Sequence, residues 1–232
     1  MVDSVRKLRG ITMDEVESFP CRIVTYDEMA KWTLDVARQI HDCRFKPTVI
    51  VGLTRGGWIP ARLLCDHLHV KKLYAVKTEH WGVTANQDGR ALLTQELNVK
   101  IEGETVLVVD DITDSGESLQ LAISHVKDLK PKEIMTATLL HITHSTIEPN
   151  FYSVKVPKEE WTWFIFPWNL HEDLRTLIPK AFAGGKTEEE IRKAFKENFK
   201  IDLTEELVRG TMKELEAEGK FHRSGRTWVK TG

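Results

Sequence analysis

The chain has 232 residues, 41% of them hydrophobic and 29% charged, with 33 Lys and Arg set against 35 Asp and Glu. That length suits one large domain or a domain with an appendage, and the composition is that of a soluble globular protein with a proper core. A formal net charge of −2 excludes the basic balance of a nucleic-acid or membrane-surface binder, no apolar run approaches membrane length, and Met1–Pro20 lacks the apolar stretch of a signal segment.

The cysteines Cys21, Cys43 and Cys65 are odd in number and form no C-x-x-C. They read as small core hydrophobes in a reducing cytoplasm, which is the expected location. Residues 1–20 are weakly patterned and are expected to be a short helix or an arm packed on the body.

Thr25-Tyr26-Asp27-Glu28 has the form of a capping box. Met29, Trp32, Leu34, Val36, Ala37 and Ile40 supply an apolar helix face running to about Cys43. Pro47–Leu53 reads as a buried strand, followed by the turn Thr54-Arg55-Gly56-Gly57 and a helix over Ala61–Leu68. Gly lets backbone approach a ligand, and Arg offers a fork of donors suited to phosphate oxygens. Lys72–Lys77 is a strand, and Leu93–Val99 a returning one. Between them lies a long polar excursion carrying Trp81, Gly82, Gln87, Asp88 and Gly89, which reads as a surface hairpin or a lid.

Next comes the most informative stretch. Val106-Leu107-Val108-Val109 is an unbroken apolar run of the kind buried on both faces of a parallel sheet. It ends in Asp110 and Asp111, then Ile112, Thr113, Asp114, Ser115, Gly116, Glu117 and Ser118, and a helical pattern over Leu119–Leu129. A strand, a small-residue loop and a helix N-terminus make an anion cradle of free N–H groups. Carboxylates beside such a cradle make sense when Mg²⁺ or sugar hydroxyls lie between them and the phosphate. Glu133–Ile142 is a further strand, then a loop over 144–150, then Phe151–Val156. The segment Trp161–Trp168 is dense in aromatics, which suits core packing or stacking on a flat base.

Lys186–Gly232 reads as a separate unit behind a Gly184-Gly185 hinge. Thr187-Glu188-Glu189-Glu190 opens one helix, Leu203-Thr204-Glu205-Glu206 opens a second, and Lys220–Lys230 forms a hairpin turning at Ser224-Gly225. This is a small winged-helix-like α+β module. The acidic helices argue against nucleic acid as a partner, and packing or oligomerisation is the expected role.

Residues 106–118 strongly resemble the phosphoribosyl-pyrophosphate motif of type I phosphoribosyltransferases, with every slot filled. Thr54, Arg55, Gly56 and Gly57 are similar to the pyrophosphate loop of that family, where backbone strain is common and is expected here at the Thr54–Arg55 bond. Trp163, Phe164 and Pro167-Trp168 resemble the base-binding stretch of bacterial and archaeal 6-oxopurine enzymes. The resemblance implies an α/β fold with a central, mostly parallel sheet flanked by helices. It also implies a mobile lid at about 78–93, a hood over 145–180, and a phosphoribosyltransferase domain over 1–180 ahead of the 186–232 module. It implies an enzyme transferring 5-phosphoribosyl from its pyrophosphate ester to a purine base, giving nucleoside monophosphate and pyrophosphate, with Mg²⁺ as cofactor and a homodimer as assembly. Asp114 and Arg55 take the catalytic roles. Asp110 and Asp111 hold ribose hydroxyls or Mg²⁺. Residues 113–118 (Thr113, Asp114, Ser115, Gly116, Glu117, Ser118) hold the 5′-phosphate through backbone amides and hydroxyls. Trp163 stacks on the base, and Phe164 reads its edge.

Two positions depart from the family pattern. Leu139-Leu140-His141-Ile142-Thr143-His144 has no Lys to donate to a purine 6-oxo group, so His141, Thr143 and His144 become candidates and adenine the favoured base, with hypoxanthine, guanine or xanthine as the alternative. Asn169 stands where relatives often carry an acid after Pro-Trp, and Glu172 or Asp173 is the expected substitute at a second Mg²⁺. A sensor of the pyrophosphate ester with a DNA-binding appendage, and an orotate-type enzyme, are the competing readings.

Overall fold

A computed structural model describes residues 18–80, 91–182 and 185–231. The elements begin with β1 (Cys21–Ile23), α1 (Tyr26–Asp42), β2 (Val49–Thr54), α2 (Trp58–His67), β3 (Lys72–His80) and β4 (Ala91–Gln95). They continue with β5 (Thr105–Val109), β6 (Ile112–Thr113), α3 (Glu117–Asp128), β7 (Glu133–Ile142) and β8 (Phe151–Val156). The last are β9 (Trp163–Ile165), α4 (Leu170–Ala181), α5 (Glu188–Phe199), α6 (Glu205–Ala217), β10 (Phe221–Ser224) and β11 (Thr227–Lys230).

Two compact units divide the chain. The first spans Tyr26–Trp161. Its sheet runs β4-β3-β2-β5-β7-β8, with β6 prolonging the β5 edge along β7. All pairings are parallel except β3 with β4. Alternation sorts the core onto the two faces. Ile50, Leu107, Val109 and Ala137 pack with Val36, Ala37 and Ile40 of α1 and Ala61 and Leu64 of α2. Val49, Val51, Leu53, Val106 and Val108 pack with Leu119, Ala122, Ile123 and Val126 of α3. Strands covered on both faces carry apolar residues at every position, which is why β2 and β5 read as unbroken runs.

The second unit holds residues 18–25 and the chain from Thr162 onward. β1 pairs in parallel with β9, Trp163 N–H donates to the Pro20 carbonyl at 2.9 Å, and Phe19 N–H donates to Asn198 at 3.1 Å. The Phe19 ring meets Phe199 edge-on at 5.0 Å. Thr187 caps α5 in a complete capping box with Glu190, and Thr204 caps α6. β10 and β11 form an antiparallel hairpin whose Trp228 is fully buried. Arg175 of α4 pairs with Glu214 of α6 at 2.9 Å. The helix, helix and hairpin are those expected, but the unit that contains them begins at Thr162 rather than near 186. Helix α4 packs its buried Leu174, Leu177 and Ile178 with these helices, a tertiary grouping with no local signature.

Several local expectations need correction. Leu34 is exposed, and Thr33 takes its place inside by donating its hydroxyl to the Met29 carbonyl at 2.8 Å. Cys43 is exposed beyond the end of α1. Burial pushes the Cys21 thiol up to about 12, with Asp173 adding to it, so that thiol is inert. α2 begins at Trp58, with Pro60 tolerated in its first turn. The returning strand is Ala91–Gln95 rather than Leu93–Val99. Of the expected lid, residues 81–90 lie outside the described residues, as does Gly184 of the hinge. No helix among the described residues is long and apolar enough to cross a membrane.

Candidate active site

The candidate residues of the first unit gather at the carboxyl ends of β2 and β5, where ligands bind in open parallel sheets. β2 delivers Thr54, whose hydroxyl donates to the Val76 carbonyl of β3 at 3.1 Å and fixes the start of the loop. The Thr54–Arg55 peptide bond is cis. Arg55 is exposed, and its carbonyl receives Trp58 N–H as α2 begins.

Two glycines bring this loop against the carboxylate pair. A Cβ on Gly57 would lie 2.5 Å from the Val109 carbonyl, 2.7 Å from Asp110 Cα and 2.8 Å from the Leu53 carbonyl. A Cβ on Gly56 would lie 2.0 Å from an Asp111 carboxylate oxygen. Only residues without side chains permit this approach.

Asp110 and Asp111 differ in environment. Asp111 is 9% exposed, and its Oδ1 accepts Ile112 N–H at 2.9 Å. Its carbonyl accepts Leu139 and Leu140 N–H at 3.0 and 3.1 Å, which ties the pair to β7. Asp110 Oδ1 accepts Asp111 N–H at 3.0 Å. Burial first, then the Asp111 carboxylate, push the Asp110 pKa well above the usual carboxylate range. Two close carboxylates in a poorly solvated place are the setting that a dication relieves. Mg²⁺ takes one or two carboxylates and completes its shell with water and substrate oxygens, so the pair fits that ion. No group of three or more His, Cys, Asp or Glu able to hold a metal occurs among the described residues.

The loop 113–118 then turns into α3. Gly116 has φ +86°, and a Cβ there would meet Ser145 Oγ at 2.6 Å and Ile147 Cγ2 at 2.7 Å. The Ser115 carbonyl accepts both the N–H and the hydroxyl of Thr146, at 3.0 and 2.9 Å. Glu117 N–H donates to Ser115 Oγ at 3.3 Å. Glu117 and Ser118 open α3, whose first amides have no intrahelical partner. Thr113 departs from expectation: its hydroxyl donates to Thr138 Oγ1 at 3.2 Å inside the sheet, because β6 turns it away from the loop. Thr113 is thus left with its backbone to offer a ligand.

Asp114 lies beside His144, with Nε2 2.7 Å from Oδ1. The approach is not aligned as a hydrogen bond, and this buried oxygen accepts none among the described residues. Of the three candidates His141, Thr143 and His144 around the end of β7, His144 is therefore the one brought to Asp114. His141 sits in register with Thr113 but is 3% exposed, with its ring 5.1 Å from Tyr152. Its Nδ1 makes no hydrogen bond among the described residues, and burial lowers its pKa. Thr138, Ser145 and Thr146, which brace the phosphate-type loop, were missed from sequence; the polar run Thr143–Thr146 beside a buried strand was the available signal.

Trp163 and Phe164 belong to the second unit, on β9. Trp163 Nε1 is buried without a hydrogen bond among the described residues, and Arg22 lies 6.0 Å from the Phe164 ring centre. Trp168 stacks on Phe166 at 4.8 Å. Asn169 precedes α4, with Glu172 and Asp173 in its first turn.

The phosphoribosyl transferase domain family matches residues 26–175. The chain is 26% identical over 121 residues to a xanthine-guanine phosphoribosyltransferase of Cereibacter sphaeroides, covering 52% of this chain and 68% of that protein. A xanthine-guanine phosphoribosyltransferase of Idiomarina loihiensis is 24% identical over 149 residues, covering 64% and 86%. The crystal structure of a purine phosphoribosyltransferase from Pyrococcus horikoshii superposes with a TM-score of 0.57 at 27% identity, covering 65% of this chain and 94% of that one.

Proposed function

The chain belongs to the phosphoribosyl transferase domain family, enzymes of the glycosyltransferase type, and from that premise we propose that it moves 5-phosphoribosyl from its pyrophosphate ester to a ring nitrogen of a purine. The observation that carries this reading is the junction of β5 with α3. A carboxylate pair, a third carboxylate and a glycine-bearing cradle follow one another there without a break.

Each part has a physical job in that reaction. The loop over 113–118 binds the 5′-phosphate with amides at a helix N-terminus. Asp110 and Asp111 would bind the ribose hydroxyls and are the residues that would hold Mg²⁺, which would supply neutralisation of charge on the leaving pyrophosphate. Arg55 and the amides of 54–57 stabilise the same charge. As the C1–oxygen bond to pyrophosphate breaks, the C1–nitrogen bond forms, and the proton of the base passes to Asp114. Proton transfer of this kind contributes about 10²–10⁴-fold. By resemblance to the family, Trp163 and Phe164 are the residues that would stack on the base and read its edge. A cytoplasmic homodimer is part of the proposal, by resemblance.

Adenine is the favoured base because Leu139–His144 offers no ammonium to a 6-oxo group. The names of the bacterial relatives favour the second reading, a 6-oxopurine. The test is turnover with phosphoribosyl pyrophosphate and Mg²⁺ against adenine, hypoxanthine, guanine, xanthine and orotate. Turnover of one or more purines supports the reading, and adenine foremost supports the base. Turnover of hypoxanthine or guanine alone overturns the choice of adenine, and orotate alone overturns the purine reading.

A further inference from the structure

We infer that the C-terminal helices are the mount of the base-stacking segment: the end of α5 fixes the position of Trp163, with Asn198 and Phe199 as positioning residues. The inference rests on the reading of Trp163 as the ring that stacks on the base, and it gives the appended helices a role in that same site.

β9, which carries Trp163 and Phe164, is three residues long and pairs among the described residues with β1 alone. A parallel pair this short does not hold itself in water. Its geometry comes from what the flanking chain is tied to. Ahead of β1, the chain is tied to the last turn of α5. The final carbonyls of a helix have no partner inside the helix. Here the Asn198 carbonyl accepts the Ser18 hydroxyl and Phe19 N–H, both at 3.1 Å. The Phe19 ring meets the fully buried Phe199 edge-on at 5.0 Å. Pro20 follows, and its carbonyl accepts Trp163 N–H at 2.9 Å. A proline ring fixes its own φ and holds the residue before it extended. Phe19-Pro20 is therefore a stiff strut between the end of α5 and the backbone of Trp163.

The chain leaving β9 returns to the same residue. The aromatic segment runs through Asn169 into α4, and the Ala181 carbonyl at the end of α4 accepts Asn198 Nδ2 at 3.2 Å. Asn198 thus grips the chain ahead of β1 with its main chain and the chain after β9 with its side chain. The Arg175–Glu214 pair ties α4 to α6 as well. Neither Ser18–Pro20 nor α5 lies within residues 26–175, the stretch that matches the family, so the mount is an addition to that stretch.

The consequence for turnover is one-sided. The residues assigned to the phosphoribosyl donor belong to the first unit, whereas Trp163 and its mount belong to the second. Loosening the mount weakens the hold on the base and spares the hold on the donor.

The test measures KM for the base and KM for phosphoribosyl pyrophosphate, using the purine that the wild type turns over fastest. The full-length proteins compared are the wild type, Phe19→Ala, Asn198→Asp, Trp163→Ala and the Phe19→Ala/Trp163→Ala double variant, with thermal melting to show that each is folded. Asp at 198 keeps the shape of Asn but offers the Ala181 carbonyl an acceptor in place of a donor. Phe19→Ala is expected to raise base KM by about 10-fold, inside the range that stacking a base on an aromatic ring contributes, with donor KM within about 2-fold. Asn198→Asp is expected to move base KM in the same direction, again sparing the donor. In the Trp163→Ala background, Phe19→Ala is expected to add less than about 2-fold, because the mount no longer carries the ring. Should Phe19→Ala melt below the assay temperature, Phe19→Leu takes its place. Base KM unmoved in the folded variants, donor KM rising in step with it, or full additivity with Trp163→Ala overturns the inference and leaves the purine reading intact. Trp163→Ala with a wild-type base KM overturns the stacking reading and the inference together. A wild type that turns over no purine overturns the purine reading and the inference with it.

Discussion

Gly57→Ala probes the contact on which the site geometry depends. The added Cβ would lie 2.5, 2.7 and 2.8 Å from the Val109 carbonyl, Asp110 Cα and the Leu53 carbonyl, whereas ordinary contact begins near 3.4 Å. All three are backbone atoms at the ends of β2 and β5, so no side-chain rotation relieves the clash. The loop must move away from the carboxylate pair by most of an ångström. Overpacking of this kind costs about 1–3 kcal/mol, which in a chain of this size lowers Tm by roughly 2–12 °C. Displacing reacting groups by about 1 Å costs on the order of 100-fold in rate. The assay pairs calorimetry with steady-state phosphoribosyl transfer. The variant should melt lower and lose about 100-fold in kcat/KM while remaining folded at 25 °C. A Tm within about 1 °C of wild type together with unchanged kcat/KM would refute the reasoning that the loop packs directly on Asp110.

Gly210→Ala is the contrasting case: Gly210 lies inside α6 with nothing within 4 Å of an added Cβ. It should raise stability by about 0.5–1 kcal/mol in a denaturant titration and leave turnover unchanged. Asp110→Asn tests the raised carboxyl. A folded-state pKa above the unfolded value of 3.8 means that the folded protein keeps a proton the unfolded chain releases, so stability falls as pH rises from 3.8 toward the raised value. Asn keeps the bond from Asp111 N–H and removes that loss, so at pH 7 the variant should melt higher than wild type while transfer is abolished; a lower Tm at pH 7 contradicts the assignment. Asp114→Asn should reduce kcat by about 10²–10⁴-fold with little change in donor KM, measured by initial rates, and an unchanged kcat would remove Asp114 from the proton path.

Much of this architecture could be read in advance, for reasons that are local. Glu133–Ile142 is legible because Pro131 precedes a run rich in apolar and β-branched residues and the polar stretch from Thr143 follows it. The Asp110–Ser118 stretch was legible because strand, loop and helix start are contiguous in sequence. Thr187 and Thr204 announced their helices through side-chain caps that act within three residues. The failures are tertiary. Leu34 and Cys43 were assigned inward by hydrophobicity, whereas the single covered stripe of α1 runs through Thr33, Val36, Ala37 and Ile40. Thr113 carries a hydroxyl like its loop neighbours, but a two-residue strand turns it onto Thr138. That His144 rather than His141 meets Asp114 depends on the turn that follows β7, which no periodicity encodes. The joining of α4 to the C-terminal helices depends on buried faces meeting across long separations.

The central claim is that the β5–α3 junction holds a phosphoribosyl donor and passes its sugar to a purine. It is tested most directly by incubating the protein with phosphoribosyl pyrophosphate, Mg²⁺ and a purine, and measuring nucleoside monophosphate and pyrophosphate in the same sample. Equimolar appearance of the two, dependent on the base, is the predicted result. Pyrophosphate released without nucleotide, or neither product with any purine, would contradict it.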